Sequence, residues 1–75
     1  MGEETFIERL TVEYSELVKR IAMLKLFMAT PNYAKCTTYQ QGLMRIQSNA
    51  MSAYAEVLWQ RREDLERVSG EGKVG

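Results

Sequence analysis

The sequence contains no histidine, a single cysteine and a single proline. With Cys36 alone, one chain can form neither an internal disulfide nor a zinc site of the usual cysteine and histidine type. The missing histidine also removes the commonest general acid and base. There is no glycine-rich phosphate loop, and no base near Cys36 would activate its thiol as a nucleophile. We therefore expect no enzymatic activity, no metal site and no cofactor.

Acidic residues are absent from the middle of the chain, although the formal net charge is zero. Residues 17–55 contain five lysines and arginines and no acid, a charge of +5. Residues 1–16 hold five Glu and one Arg (−4), and residues 56–75 hold five acids and four bases (−1). Glu3 and Glu4 occupy the place of a signal peptide's basic residues, and the longest apolar run, 21–29, contains Lys25. That run is too short to span a bilayer, so we expect a cytoplasmic protein without a membrane partner.

The first half of the chain has an unbroken helical repeat of apolar residues. The repeat predicts helix 1 from about residue 4 to about residue 29. Pro31 lacks an amide hydrogen and disfavours the helical conformation at Thr30, so we expect a turn over residues 30–37. The repeat comprises Ile7, Leu10, Tyr14, Leu17, Ile21, Leu24 and Met28.

A second helix is predicted from about residue 38 to about residue 68. Either Thr37 with Gln40, or Thr38 with Gln41, has the spacing of a capping box at its start. Alternating steps of three and four predict a stripe that faces a partner helix. That stripe consists of Met44, Gln47, Met51, Tyr54, Leu58, Arg61, Leu65 and Val68. Residues 69–75 have no such repeat, and we expect them to form a flexible tail.

Two long helices joined by a short turn predict an all-α fold, an antiparallel helical hairpin formed by a single domain of residues 1–68. Helix 2 also carries a second set of apolar residues, which one hairpin cannot cover. A chain this short seldom builds a sufficient core alone. We therefore expect the hairpins to assemble into a helical-bundle homo-oligomer. The second set comprises Leu43, Ile46, Ala50, Ala53 and Val57.

Cations near aromatic rings suit a ligand that has phosphates and flat bases. Arg61 and Lys25 are the candidates for phosphate binding, Tyr54 or Tyr14 for stacking on a base, and Gln47 for reading a base edge. Arg61 and Lys25 lie toward opposite ends of one hairpin, so a shared pocket requires a neighbouring subunit. The ordinary alternatives are that both tyrosines pack in the core and that Gln47 and Arg61 only fix the register of assembly.

The residues Leu43, Gln47, Met51, Tyr54, Leu58 and Arg61 form a string that resembles a family of small helical-hairpin proteins of tailed phages. These proteins are relatives of a crAss-like phage gene product, and the resemblance covers roughly residues 6 to 65. In size and architecture the chain is also similar, more loosely, to phage anti-CBASS and anti-Thoeris sponge proteins. Those proteins form symmetric oligomers that hold cyclic oligonucleotides or ADP-ribose derivatives between subunits.

This resemblance implies an oligomeric phage protein that sequesters a small anionic nucleotide immune signal, without cleaving it, in the infected bacterial cell. It would thereby counteract antiphage defence. The alternative is a structural or adaptor hairpin that binds a host or phage protein. Recognition of double-stranded DNA is not expected, because no helix carries a run of base-reading side chains and the net charge is zero.

Overall fold

The computed structural model describes the backbone of residues 2–74 and the side chains of residues 6–68. Within that part of the chain there are three helices and no strand, so the prediction of an all-α fold is confirmed. They are α1 (Gly2–Met28), α2 (Pro31–Lys35) and α3 (Thr38–Val74). Helices α1 and α3 pack along each other in a rod of 57 × 16 × 16 Å. Assembly into a homo-oligomer stays a prediction.

The connection between the long helices contains a short helix where the sequence predicts only a turn. Helix α1 ends at Met28, and Thr30 adopts an extended conformation with φ −95° and ψ 160°. This is the conformation that a following proline imposes. Pro31 then begins α2, where its missing amide hydrogen has no cost because the first helical amides have no partner within the helix.

Thr37 caps the start of α3. The backbone amide of Gln40 donates a hydrogen bond to Thr37 Oγ1 at 3.1 Å, so Thr37, the first of the two predicted capping residues, supplies the cap. The side chain of Gln41 is used elsewhere. Its amide nitrogen donates to the backbone oxygens of Tyr33 at 3.1 Å and Cys36 at 3.0 Å, which ties α2 to α3.

Helix α1 faces α3 with the predicted stripe. Leu10 and Leu17 are buried, and Tyr14 and Ile21 pack against them. The regular spacing therefore identified the packing face of this helix correctly. Near the open end of the hairpin, Arg62 of α3 donates a hydrogen bond from Nε to Thr11 Oγ1 at 2.7 Å, which links the two antiparallel helices there.

Helix α3 faces α1 with a stripe that differs from the prediction at every second position. Buried Ser48, buried Ala55 and half-buried Arg62 take the places predicted for Gln47, Tyr54 and Arg61. We call the residues between α1 and α3 the inner seam. Small side chains at two of these positions let α3 approach the large residues of α1. On α3 the inner seam comprises Met44, Ser48, Met51, Ala55, Leu58, Arg62 and Leu65.

Helix α3 continues as backbone to Val74, beyond the predicted end near residue 68. The side chains of residues 69–75 lie outside the described residues, and flexibility of this tail stays a prediction. No helix within residues 2–74 combines the length and the apolar character that crossing a membrane requires.

Candidate functional site

Three of the five predicted binding residues form one exposed row on α3. Gln47, Tyr54 and Arg61 are spaced by seven residues, so they lie on the same face of the helix. All three are exposed, and Tyr54 retains 45% of its accessible surface. Each precedes an inner-seam residue by one position, which rotates it away from the contact with α1 by about 100°. These three side chains therefore lie outside the packed contact between the two helices.

Tyr54 is the member of the row that also contacts α1. Its hydroxyl donates a short hydrogen bond to Glu13 Oε2. This hydrogen bond raises the pKa of Tyr54 above its usual value, because the carboxylate stabilises the protonated phenol. Partial desolvation and the negative charge of Glu13 raise it further, whereas the positive charge of Arg61 lowers it. The ring of Tyr54 is thus exposed, with the carboxylate of Glu13 and the guanidinium group of Arg61 as its charged neighbours.

The contact between Glu13 and Tyr54 identifies a further residue beside the row. One heptad further along α1 is Arg20, and one heptad back along α3 is Gln47. In an antiparallel pair these steps run in the same direction, so Arg20 lies on the flank of Gln47. The sequence prediction did not include Arg20. The signal that could have identified it is its seven-residue spacing from Glu13, once the pairing of the helices is known.

Lys25 lies on the opposite flank of the hairpin. It follows Thr11 by two heptads, and Thr11 contacts Arg62 on the flank away from Tyr54. Arg45 shares that flank, because it precedes Trp59 by two heptads and the Trp59 ring lies beneath the Arg62 guanidinium at 5.6 Å. Within one chain the structure therefore separates Lys25 from Gln47, Tyr54 and Arg61.

Tyr14 is half-buried in the inner seam. Its ring lies 5.3 Å from the ring of Trp59, centroid to centroid, with an angle of 46° between the planes. Such tilted aromatic pairs contribute about 0.5–1.5 kcal/mol beyond the burial of their surface. Tyr14 thus packs between the helices, with its ring in contact with Trp59.

Two shallow depressions on the described surface are lined largely by carboxylates. One lies on α3 among Glu56, Glu63, Asp64 and neighbouring residues, and the other lies on α1 around Glu13. Neither contains any of Tyr14, Lys25, Gln47, Tyr54 or Arg61. Because carboxylates repel phosphate, these depressions do not suit an anionic ligand. Among the described side chains there is also no group of three or more carboxylates or thiols that could hold a metal ion.

No curated protein and no solved structure matches the chain. The kinship with a crAss-like phage gene product, which the resemblance implies, is therefore not shown. A family model named Sequestin does match, over residues 4–64. The matched region contains the inner seam almost completely, the exposed row and both flanks of the hairpin. Because the match covers most of its length, the chain belongs to the Sequestin family.

Proposed function

We propose that this protein sequesters a small anionic nucleotide signal without cleaving it. The ligand class is a cyclic oligonucleotide or an ADP-ribose derivative. The protein acts as a phage-encoded homo-oligomer in the cytoplasm of the infected bacterium, where it counteracts antiphage defence. The family name, Sequestin, supports a binding role over a catalytic one.

The observation that carries this proposal is the exposed row of Gln47, Tyr54 and Arg61. A glutamine, a tyrosine and an arginine repeat along one face of α3, and none of them belongs to the inner seam. An arginine pairs with phosphate through two parallel hydrogen bonds, and an aromatic ring stacks on a base. A glutamine amide both donates and accepts, which suits the edge of a base.

The charges around the row assign the phosphate contact to one end of it. The Glu13 carboxylate beside the Tyr54 hydroxyl repels phosphate, so the base belongs over the Tyr54 ring and the phosphate belongs at Arg61. Lys25 joins such a site only from a neighbouring subunit, because it occupies the other flank of its own hairpin. Tyr14 is the weaker stacking candidate because it is half-buried between the helices and its ring already contacts Trp59.

A thermal-shift screen against cyclic dinucleotides, cyclic trinucleotides and ADP-ribose derivatives tests the proposal. A ligand at 100 times its dissociation constant stabilises the native state by about 2.7 kcal/mol. For a chain of this length that corresponds to a rise in Tm on the order of 10 °C. The ligand recovered after binding should be chemically intact. Absence of a shift with every nucleotide, for a folded protein, would contradict sequestration.

Variants at two arginines of α3 separate a phosphate contact from general charge. Arg61→Ala should abolish the shift without unfolding the protein or changing its oligomer mass. Arg67→Ala removes the same charge from the same helix, but Arg67 pairs with Asp64 and lies outside the row, so binding should persist. Lys25→Ala should weaken binding if a neighbouring subunit supplies that lysine. Equal loss in the Arg61 and Arg67 variants would indicate only nonspecific attraction of anions.

A second candidate function is an adaptor that binds a host or phage protein. The observation in its favour is the apolar outer surface of α1, where Met23 and Leu26 are largely exposed. An adaptor should recover a stoichiometric protein partner in a pull-down, and no nucleotide should change its Tm. Met23→Ser and Leu26→Ser would then release the partner, whereas Arg61→Ala would have no effect.

A further inference from the structure

Helix α3 carries a second stripe of side chains on a face rotated by about 100° from the inner seam. Its members repeat in alternating steps of four and three, as in a coiled-coil seam, and all of them are exposed. We call this stripe the outer seam, and it contains the exposed row as every second member. Its residues are Leu43, Gln47, Ala50, Tyr54, Val57 and Arg61.

The outer seam is too apolar for a surface that only contacts water. Leu43 is 40% exposed and Val57 is 53% exposed, while Ile46 on the same side of the helix is 64% exposed. Exposed apolar side chains in one continuous strip commonly mark an interaction surface. Ala50 lies at the centre of the strip, and a residue this small lets a second helix approach closely.

The order of residues along the outer seam favours a second copy that runs in the opposite direction. If two α3 helices cross antiparallel at Ala50, Leu43 lies opposite Val57 of the second copy. By the same symmetry, Gln47 lies opposite Ala53, one residue from Tyr54, so its amide lies beside the Tyr54 ring. Apolar residues then meet apolar ones, and an amide meets a phenol ring. A parallel pair would instead place Arg61 opposite Arg61, and like charges at a seam are destabilising.

The charge distribution along the hairpin favours the same orientation. The turn half carries the +5 charge of residues 17–55, whereas the acids of residues 1–16 and 56–75 lie at the open end. An antiparallel crossing brings the turn of one hairpin beside Glu63 and Asp64 of the other. A parallel crossing would place the two basic halves together. Complementary charge of this kind selects orientation and partner more than it adds affinity.

We propose that a second copy of this chain packs antiparallel on the outer seam, with the two α3 helices crossing at Ala50. This arrangement brings Gln47 of one copy to Tyr54 of the other, twice by symmetry. The interface is inferred independently of any ligand. The additional statement that these two boundary sites bind the nucleotide rests on the proposed function. Each site then takes its glutamine and its tyrosine from different chains, so a single hairpin is an incomplete site.

Cysteine cross-linking tests the orientation directly. In a Cys36→Ser background, Ala50→Cys should form a disulfide-linked dimer on mild oxidation, because the crossing point lies on the two-fold axis. Leu43→Cys and Val57→Cys should each remain uncross-linked with a short bis-maleimide, whereas an equimolar mixture of the two should give a cross-linked dimer. Met23→Cys, on the outer surface of α1, is the matched control and should not cross-link.

The outcomes that overturn the proposal are distinct. Self-cross-linking of Leu43→Cys and Val57→Cys, without linkage between them, would show a parallel pair. Analytical ultracentrifugation at about 100 µM, a concentration on the order of the Kd of a weak protein interaction, measures the mass in solution. A monomeric mass at this concentration would exclude the interface. Ala50→Arg should convert the dimer to a helical monomer, and a dimer that survives this change would place the contact elsewhere.

Ligand binding separates this interface from the proposed function. An antiparallel dimer without a nucleotide-dependent Tm shift would retain the interface and refute sequestration. A nucleotide that binds the monomeric Ala50→Arg variant as tightly as the unmodified protein would retain sequestration and refute the shared site. If both proposals hold, the variant should lose binding together with its partner.

Discussion

Leu58 is the residue whose replacement should destabilise the hairpin most. It is the only described large side chain with no accessible surface, and it packs with Leu10, Leu17 and Ala55 at the centre of the inner seam. Leu58→Ala removes about three buried carbon atoms at about 0.8 kcal/mol each. The cavity that remains adds to this loss, so the free energy of unfolding should fall by about 3 kcal/mol.

That loss is large for a chain of this size. At about 0.05–0.15 kcal/mol per residue, the total free energy of unfolding is about 4–11 kcal/mol. Urea unfolding followed by circular dichroism at 222 nm measures the change. Leu26→Ala is the matched control, because it deletes the same atoms from a side chain that is 70% exposed, and it should cost less than about 0.5 kcal/mol. Equal losses in the two variants would refute the assignment of the core to the inner seam alone.

Three further predictions concern the cap, a glycine and a tyrosine. Thr37→Ala should lower the free energy of unfolding by about 1 kcal/mol, as seen in urea unfolding, and Thr38→Ala should cost less because Thr37 supplies the observed cap. Gly42→Ala should raise the free energy of unfolding by up to about 1 kcal/mol, since an added Cβ would meet only the flexible end of the Arg45 side chain at 3.9 Å. A lower Tm would instead indicate that another chain or a ligand lies close to Gly42. In absorbance titrations at 295 nm, Glu13→Ala should lower the pKa of Tyr54, because the raised folded-state pKa depends on that carboxylate. The stabilisation that this hydrogen bond gives the folded state is present below about pH 10 and is lost as pH rises through the folded-state pKa of Tyr54. Titration curves of the unmodified protein and the Glu13→Ala variant that overlap would contradict the contact.

The sequence was sufficient to predict the packing face of α1 but not that of α3. In α1 one set of positions combines apolar residues with strictly alternating steps of three and four. In α3 either Gln47 or Ser48 completes the step between Met44 and Met51, and either Tyr54 or Ala55 completes the next. Tyrosine would bury more apolar surface than alanine, yet the close approach of two helices favours the small residue. The prediction used Gln47 and Tyr54, so every second position of the predicted stripe lies one residue before the observed one.

The candidate site was only partly predictable for a related reason. Spacing along one helix places Gln47, Tyr54 and Arg61 together without any knowledge of the other helix. Which residues of α1 join them depends on the rotation and register of the pair, and no periodicity within α1 contains that information. The contact between Glu13 and Tyr54 supplies it. It places Arg20 beside the row and Lys25 on the other flank.

On α3, the residues that pack against α1 and the exposed residues that are candidates for binding are neighbours in the sequence. The inner seam uses Ser48, Ala55 and Arg62, so the residues immediately before them lie outside the packed core of the hairpin. A glutamine, a tyrosine and an arginine that recur every seven residues on an otherwise apolar face nevertheless need a physical reason. Water alone would favour more charge there, and simple helix pairing would favour leucine. A face that must both contact a second helix and retain polar groups at the boundary accounts for both kinds of residue.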